Sequence, residues 1–97
     1  MKQTGIELIA AERQEQLEKH QRTVALDVEE NGSYQLAIAA AKMLAYPAET
    51  KDCNIPPQGW DVDLWKKMQS KSYIERLVIA GALICAELDR LYSYKNQ

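Results

Sequence analysis

The sequence predicts an all-α protein, a small helical bundle of three main helices plus one short helix, forming one domain over residues 1–97. Three observations lead to this. Residues 72–94, SYIERLVIAGALICAELDRLYSY, read as a helix of about six turns whose middle is apolar on every side. Thr4 with Glu7, and Ser72 with Glu75, have the spacing of capping boxes, which mark helix starts. An alanine-rich run lies between an Asn-Gly turn signal and Pro47. A helix that is apolar all round must be buried on all sides, and so short a chain has few elements to cover it. Self-association is therefore expected, with a symmetric dimer favoured.

In the first helix, which Thr4 starts, Ile6, Ile9, Ala10, Arg13 and Leu17 recur at spacings of three and four and form one stripe. Glu7, Glu15, Glu18 and Lys19 lie mostly outside it, and Glu12 lies on its border. Arg13 interrupts the stripe and must snorkel to water or meet an acid, for which Glu87 and Asp89 are candidates. His20, near the helix end, suits the helix dipole. Residues 21–32 read as a loop with room for a short helical turn. The second helix is expected from about Ser33 to Tyr46, capped by Asn31 or Ser33 and ended by Pro47. Ala37, Ala39, Ala40, Ala41 and Ala45 give it a smooth surface, which predicts close packing on Gly81, Ala82 and Ala86 of the last helix.

Pro47 to Gly59 reads as a linker stiffened by Pro56-Pro57. Asp61 caps the short helix that carries Leu64, Trp65 and Met68. The last helix is expected to bury a main face of Ile74, Leu77, Val78, Gly81, Ile84, Cys85, Leu88 and Leu91. Ile79, Leu83 and Ala86 would then form a second face for another copy of the chain. No repeat or low-complexity tract is visible.

Lys plus Arg number 12 against 14 Asp plus Glu, a net charge of −2, and the pI is near 5.4. There is no basic block, so duplex nucleic acid is excluded as an expected partner. The start of the chain turns polar before a signal-peptide core can accumulate, and LVIAGALICA is too short to cross a bilayer. A soluble, cytoplasmic protein that does not engage membranes is expected. Cys53 and Cys85 are far apart and His20 is the only histidine, which argues against a disulfide or a zinc site.

The acidic residues are the one possible reactive cluster. Glu12 and Glu15 sit one helical turn apart, and the loop carboxylates Asp27, Glu29 and Glu30 could complete a metal-binding set with them, Asp27 and Glu30 being the ones chosen. The competing reading pairs Glu15 with Lys19 on an exposed face. Arg13, Trp60 and Trp65 are candidate ligand-binding residues: a guanidinium for phosphate, and two indoles for stacking a base. Against these stand an internal ion pair for Arg13 and core anchoring for the tryptophans of a chain that lacks Phe. There is no glycine-rich phosphate loop, no Ser-His-Asp order and no setting for a nucleophilic cysteine.

Ile6-Glu-Leu-Ile-Ala-Ala-Glu-Arg-Gln, Pro56-Pro-Gln-Gly-Trp-Asp and Leu77-Val-Ile-Ala-Gly-Ala-Leu-Ile-Cys-Ala-Glu-Leu-Asp-Arg-Leu resemble a family of small helical proteins encoded by phages and related mobile elements. That family has no settled function to carry over. Glu12-Arg-Gln-Glu15 also resembles the first half of the pattern of MazG-like all-α nucleotide pyrophosphohydrolases, a Glu-x-x-Glu helix followed by a helix with Glu-x-x-Asp. The second half has no counterpart on the predicted second helix, and Glu87-Leu-Asp89 has a spacing that divides its carboxylates between faces. Two function classes result. The first is an oligomeric helical protein that binds a partner or ligand without chemistry and needs no cofactor. The alternative, implied by the MazG-like resemblance, is a Mg²⁺-dependent nucleoside triphosphate pyrophosphohydrolase.

Overall fold

Local side-chain chemistry fixes most helix starts in the computed structural model, which describes residues 3–19, 23–45 and 54–95. Five helices are present among these residues, with no strand: α1 (Gly5–Glu18), α2 (Val24–Glu30), α3 (Gln35–Leu44), α4 (Val62–Gln69) and α5 (Tyr73–Lys95). Both capping boxes form. The Glu7 amide donates to Thr4 Oγ1 at 3.2 Å while Glu7 Oε1 accepts from the Thr4 amide at 2.8 Å. The Glu75 amide donates to Ser72 Oγ at 3.2 Å, and the Ser72 amide returns a bond to Glu75 Oε1 at 3.3 Å. Asp61 Oδ1 caps α4 by accepting from the Leu64 amide at 2.9 Å.

Two local expectations are corrected. The segment read as a loop contains α2, a second short helix, whose start is capped by Thr23 Oγ1 accepting from the Leu26 amide at 3.2 Å. So short a helix has little stability of its own, and its end is secured by Asn31, whose amide N–H donates to Asp27 O at 2.9 Å. Asn31 thus closes α2 and does not start α3, nor does Ser33. Helix α3 begins at Gln35, preceded by Tyr34 in the left-handed region at φ 68° without a side-chain cap. The Ser33 amide donates to Gln35 Oε1 at 2.7 Å instead. Helix α3 ends at Leu44, and Tyr46, Pro47, the linker up to Cys53, and His20 lie outside the described residues.

Helices α1, α2 and α3 each pack on α5, with the α3–α5 contact the most extensive. Arg76, near the start of α5, donates to carbonyls at the end of α3, so the two run antiparallel. Leu36, Ala39, Ala40 and Met43 of α3 meet Ile79, Ala80, Leu83 and Ala86 of α5, and Trp65 of α4 completes this core. The expected direct packing of the alanine-rich helix on α5 is therefore observed.

The most deeply buried face of α5 is not the one apolar periodicity selects, of which Val78, Gly81 and Cys85 are half-buried. Ile79, Leu83 and Ala86 are in the core, whereas Ile74, Leu77, Ile84, Leu88 and Leu91 of the expected main face are exposed, Ile84 at 45% and Leu88 at 47%. The buried face also carries Arg76, Glu87 and Arg90, which lower its apparent hydrophobicity. Each is met by a partner. Arg76 Nη2 donates to Ala45 O at 2.8 Å and Lys42 O at 3.5 Å. Arg90 grips Glu87 with two bonds, Nε to Oε1 at 2.7 Å and Nη2 to Oε2 at 2.9 Å.

Gly81 is a close-approach position, but the neighbour is Ile9 of α1 and not α3. A Cβ built on Gly81 would stand 2.5 Å from Ile9 Cδ1 and 2.8 Å from Cγ1. Alanine there recovers about 1 kcal/mol of helix propensity, set against a shift of Ile9 at both Cδ1 and Cγ1. Leucine cannot be accommodated so cheaply, since overpacking costs about 1–3 kcal/mol. Gly81→Leu should lower the melting temperature well below that of Gly81→Ala, and equal values would refute the close packing of α1 on α5.

Candidate functional site

A cleft of about 890 Å³ opens between α1, α2 and the Gln58–Lys71 stretch, with Ile79 and Leu83 of α5 among the residues lining it. Helix geometry supplies its acidic lining. Glu12 and Glu15 of α1 are three residues apart, and so are Asp27 and Glu30 of α2, so each pair can face the same way. All four line this cleft. Lys67 of α4 and Lys71 of the turn after it line it too.

The four carboxylates differ in setting. Asp27 is 1% exposed, Glu12 is half-buried, and Glu15 and Glu30 are exposed. Asp27 is held in place: its Oδ1 accepts from Asn31 Nδ2 at 2.8 Å, and Asn31 Oδ1 accepts from Trp60 Nε1 at 2.8 Å. Trp60 is delivered by a turn in which its amide bonds Pro57 O at 3.0 Å and Gly59 takes φ 84°, a conformation that favours glycine. Its ring stands edge-on to Trp65, with centroids 6.0 Å apart and planes at 77°. Glu75 also lines the cleft. The hydrogen bonds from the Ser72 hydroxyl and amide hold its carboxyl below the usual carboxylate value, so it stays anionic as a cap.

As donors the four residues fit a hard cation, because carboxylate oxygens without sulfur or imidazole suit Mg²⁺. Among the described residues no three His, Cys, Asp or Glu side chains stand together closely enough to hold a metal ion.

The remaining candidates go elsewhere. Trp65 is fully buried, a core anchor that does not line the cleft. Arg13 is also outside it: its Nη2 lies 3.2 Å from Asp89 Oδ2, making the ion pair that its place on an apolar stripe implied. Glu87, the other possible partner, is taken by Arg90. Sequence reading missed Asn31, seen only as a cap, and Gln16, which is 5% exposed, lines the cleft and has Oε1 unbonded. It also missed that Asp27-Val-Glu-Glu30 repeats the spacing of Glu12-Arg-Gln-Glu15, a signal visible only once the segment is helical.

No family model, curated protein or solved structure matches the chain.

The Arg13–Asp89 pair is lopsided, with the Arg13 side chain 10% and the Asp89 side chain 50% exposed. Solvent screens the Asp89 end, so the attraction itself is worth less than about 1 kcal/mol. Burial of the arginine stem adds to what Arg13 contributes. Arg13→Ala should cost about 1–2 kcal/mol by urea denaturation, and Arg13→Met and Asp89→Asn should each cost less. An unmoved midpoint for Arg13→Ala would show that the stem contributes no stability.

Proposed function

We propose that this cleft binds a nucleoside triphosphate with Mg²⁺ and hydrolyses it to the monophosphate and pyrophosphate, as the likeness of Glu12-Arg-Gln-Glu15 to the MazG-like pattern implies. One observation carries the reading. Two carboxylate pairs of equal spacing, Glu12 with Glu15 and Asp27 with Glu30, come from different helices to a single cleft that also has two lysines. The second pair, Asp27-Val-Glu-Glu30, has the spacing of the pattern's second half with the two acids in the reverse order. The cleft volume falls within the range of about 300–1,000 Å³ typical of small-molecule sites.

Glu12, Glu15, Asp27 and Glu30 are the residues that would hold the metal. A bound Mg²⁺ supplies Lewis-acid polarisation of phosphoryl oxygens. The chain's own groups do the rest. Lys67 and Lys71 neutralise phosphate charge as compact ammonium groups. Trp60 offers an aromatic ring to the base, and Asp27 is a pre-oriented acceptor. In the reaction a water oxygen bonds to the α-phosphorus as the bond to the bridging oxygen breaks, and pyrophosphate leaves.

The second reading is an oligomeric protein that binds a ligand or partner without chemistry. It is favoured by the finding that, among the described residues, no three acidic, histidine or cysteine side chains stand together at metal-holding distance. Self-association belongs to both readings. Leu77, Ile84, Leu88 and Leu91 keep spacings of seven, four and three along α5 and are exposed, the pattern of a self-complementary helix seam. The occupant we assign to that seam is a second copy of this chain.

With Mg²⁺ and common nucleoside triphosphates the protein should release pyrophosphate, and Glu12→Gln should reduce release by at least about 100-fold, in line with loss of a group acting in the transition state. The melting temperature should stay unchanged. A protein that neither cleaves a triphosphate nor binds Mg²⁺ or Mn²⁺ at millimolar concentration leaves the non-catalytic reading. Light scattering should show a dimer or larger species at micromolar concentration and a shift towards monomer for Leu88→Lys, and a monomeric wild type would remove the seam.

A further inference from the structure

Charge is unevenly distributed in the cleft. Asp61 and Glu75 line it besides Glu12, Glu15, Asp27 and Glu30, so its walls hold six carboxylates against two lysines, Lys67 and Lys71. Among the described residues Glu12, Glu15 and Glu30 enter no ion pair. Nor do three acidic side chains stand together closely enough for one metal ion to meet them, again among the described residues. A cation whose charges are spaced along a chain can meet such carboxylates one at a time.

Helix α1 adds an observation of a different kind. Leu8, Glu12 and Gln16 recur at spacings of four and all line the cleft, whereas Ile9 abuts Gly81 and Arg13 reaches Asp89. Gln16 is therefore on the cleft side of the helix. It is 5% exposed, and among the described residues its Oε1 has no hydrogen-bond partner. A buried acceptor without a donor costs stability, and the missing group is an N–H or O–H. The wall also has apolar side chains, among them Leu8, Leu26, Leu64 and Val78.

We infer that the cleft takes a linear aliphatic polyamine. One ammonium group donates to Gln16 Oε1, the others meet the glutamates of α1 and α2, and the methylene runs between them lie on the apolar wall. An ammonium has donors and no acceptor, which matches a lining rich in acceptors. Trp60 lines the cleft as well, and an aromatic face attracts an alkylammonium. The inference stands apart from nucleotide hydrolysis and needs no metal. It gives the reading without chemistry the class of its ligand.

Calorimetry with spermidine as the probe, and butylamine as a cation of single charge, tests this. Spermidine should bind at one site per chain and at least about tenfold more tightly than butylamine, because it meets several carboxylates. Gln16→Met keeps the length of the side chain and removes the acceptor, so it should weaken spermidine by about fivefold, the equivalent of one net hydrogen bond. Glu15→Gln should weaken it by about threefold and reduce its dependence on salt. Glu15 is exposed, so this variant keeps the test decisive even if Gln16→Met disturbs the fold, which circular dichroism reports. Spermidine held no more tightly than butylamine, or held by either folded variant as tightly as by the wild type, overturns the inference. So does the absence of spermidine binding at millimolar concentration. Pyrophosphate release from a nucleotide is a separate readout, so the polyamine and the hydrolysis fail independently.

Discussion

The face of α5 that turns inwards bears three charged side chains among its alanines, and the bundle depends on how they are met. A buried charge without a partner costs several kcal/mol, so α5 can adopt this orientation only if Arg76, Glu87 and Arg90 are all satisfied. Glu87 and Arg90 satisfy each other through two bonds one turn apart. Arg76 does something more far-reaching. It donates to the carbonyls that helix geometry leaves unbonded at the end of α3, where the dipole also favours a cation. One guanidinium thus closes α3, neutralises its own burial and sets the position of α3 along α5.

The remaining elements follow from that docking. With α3 on one side, Ala39, Ala40, Ala80 and Ala86 bring the helices together, and Trp65 fills the end of the core that they leave open. Helix α1 takes another side of α5, where the missing side chain of Gly81 admits Ile9 and Arg13 reaches Asp89. Helix α2 also lies against α5. Rods arranged round a central helix leave a gap where no rod lies, and the cleft is such a gap. Its lining combines apolar side chains of α5 with polar ones from α1 and α2, because those helices are too short and too polar to bury all their turns.

Much of the local structure was legible because its causes are local. Thr4 with Glu7, Ser72 with Glu75, and Asp61 act within three residues, so their spacing alone announces a helix start. The Arg13 ion pair was legible for a different reason: a cation on an apolar stripe has few resolutions, and one of its two candidate acids proved to be its partner. Helix α2 was legible only as room for a short helical turn within a loop. A run of seven residues has little intrinsic helix stability, and what holds this one includes a bond between the Asp27 and Asn31 side chains that is itself braced by Trp60, 29 residues further on. Short of a helix there, Asp27 and Glu30 read as loop acids and the second carboxylate pair of the cleft was hidden.

The sequence by itself determined that the chain is helical, where most helices start, and that the alanine-rich helix packs on the long one, since propensity, caps and small side chains act through near neighbours. Only the tertiary structure decided which face of α5 is inside. Its middle is apolar all round, so periodicity had no contrast to read there, and towards its ends the three charges favoured the opposite choice. Glu87 and Arg90 partner each other within α5, but the carbonyls that meet Arg76 belong to α3 and its C-cap and come within reach only after packing. That four carboxylates line one cleft was likewise decided in three dimensions, because spacing along a chain fixes which residues share a helix face but not what that face meets.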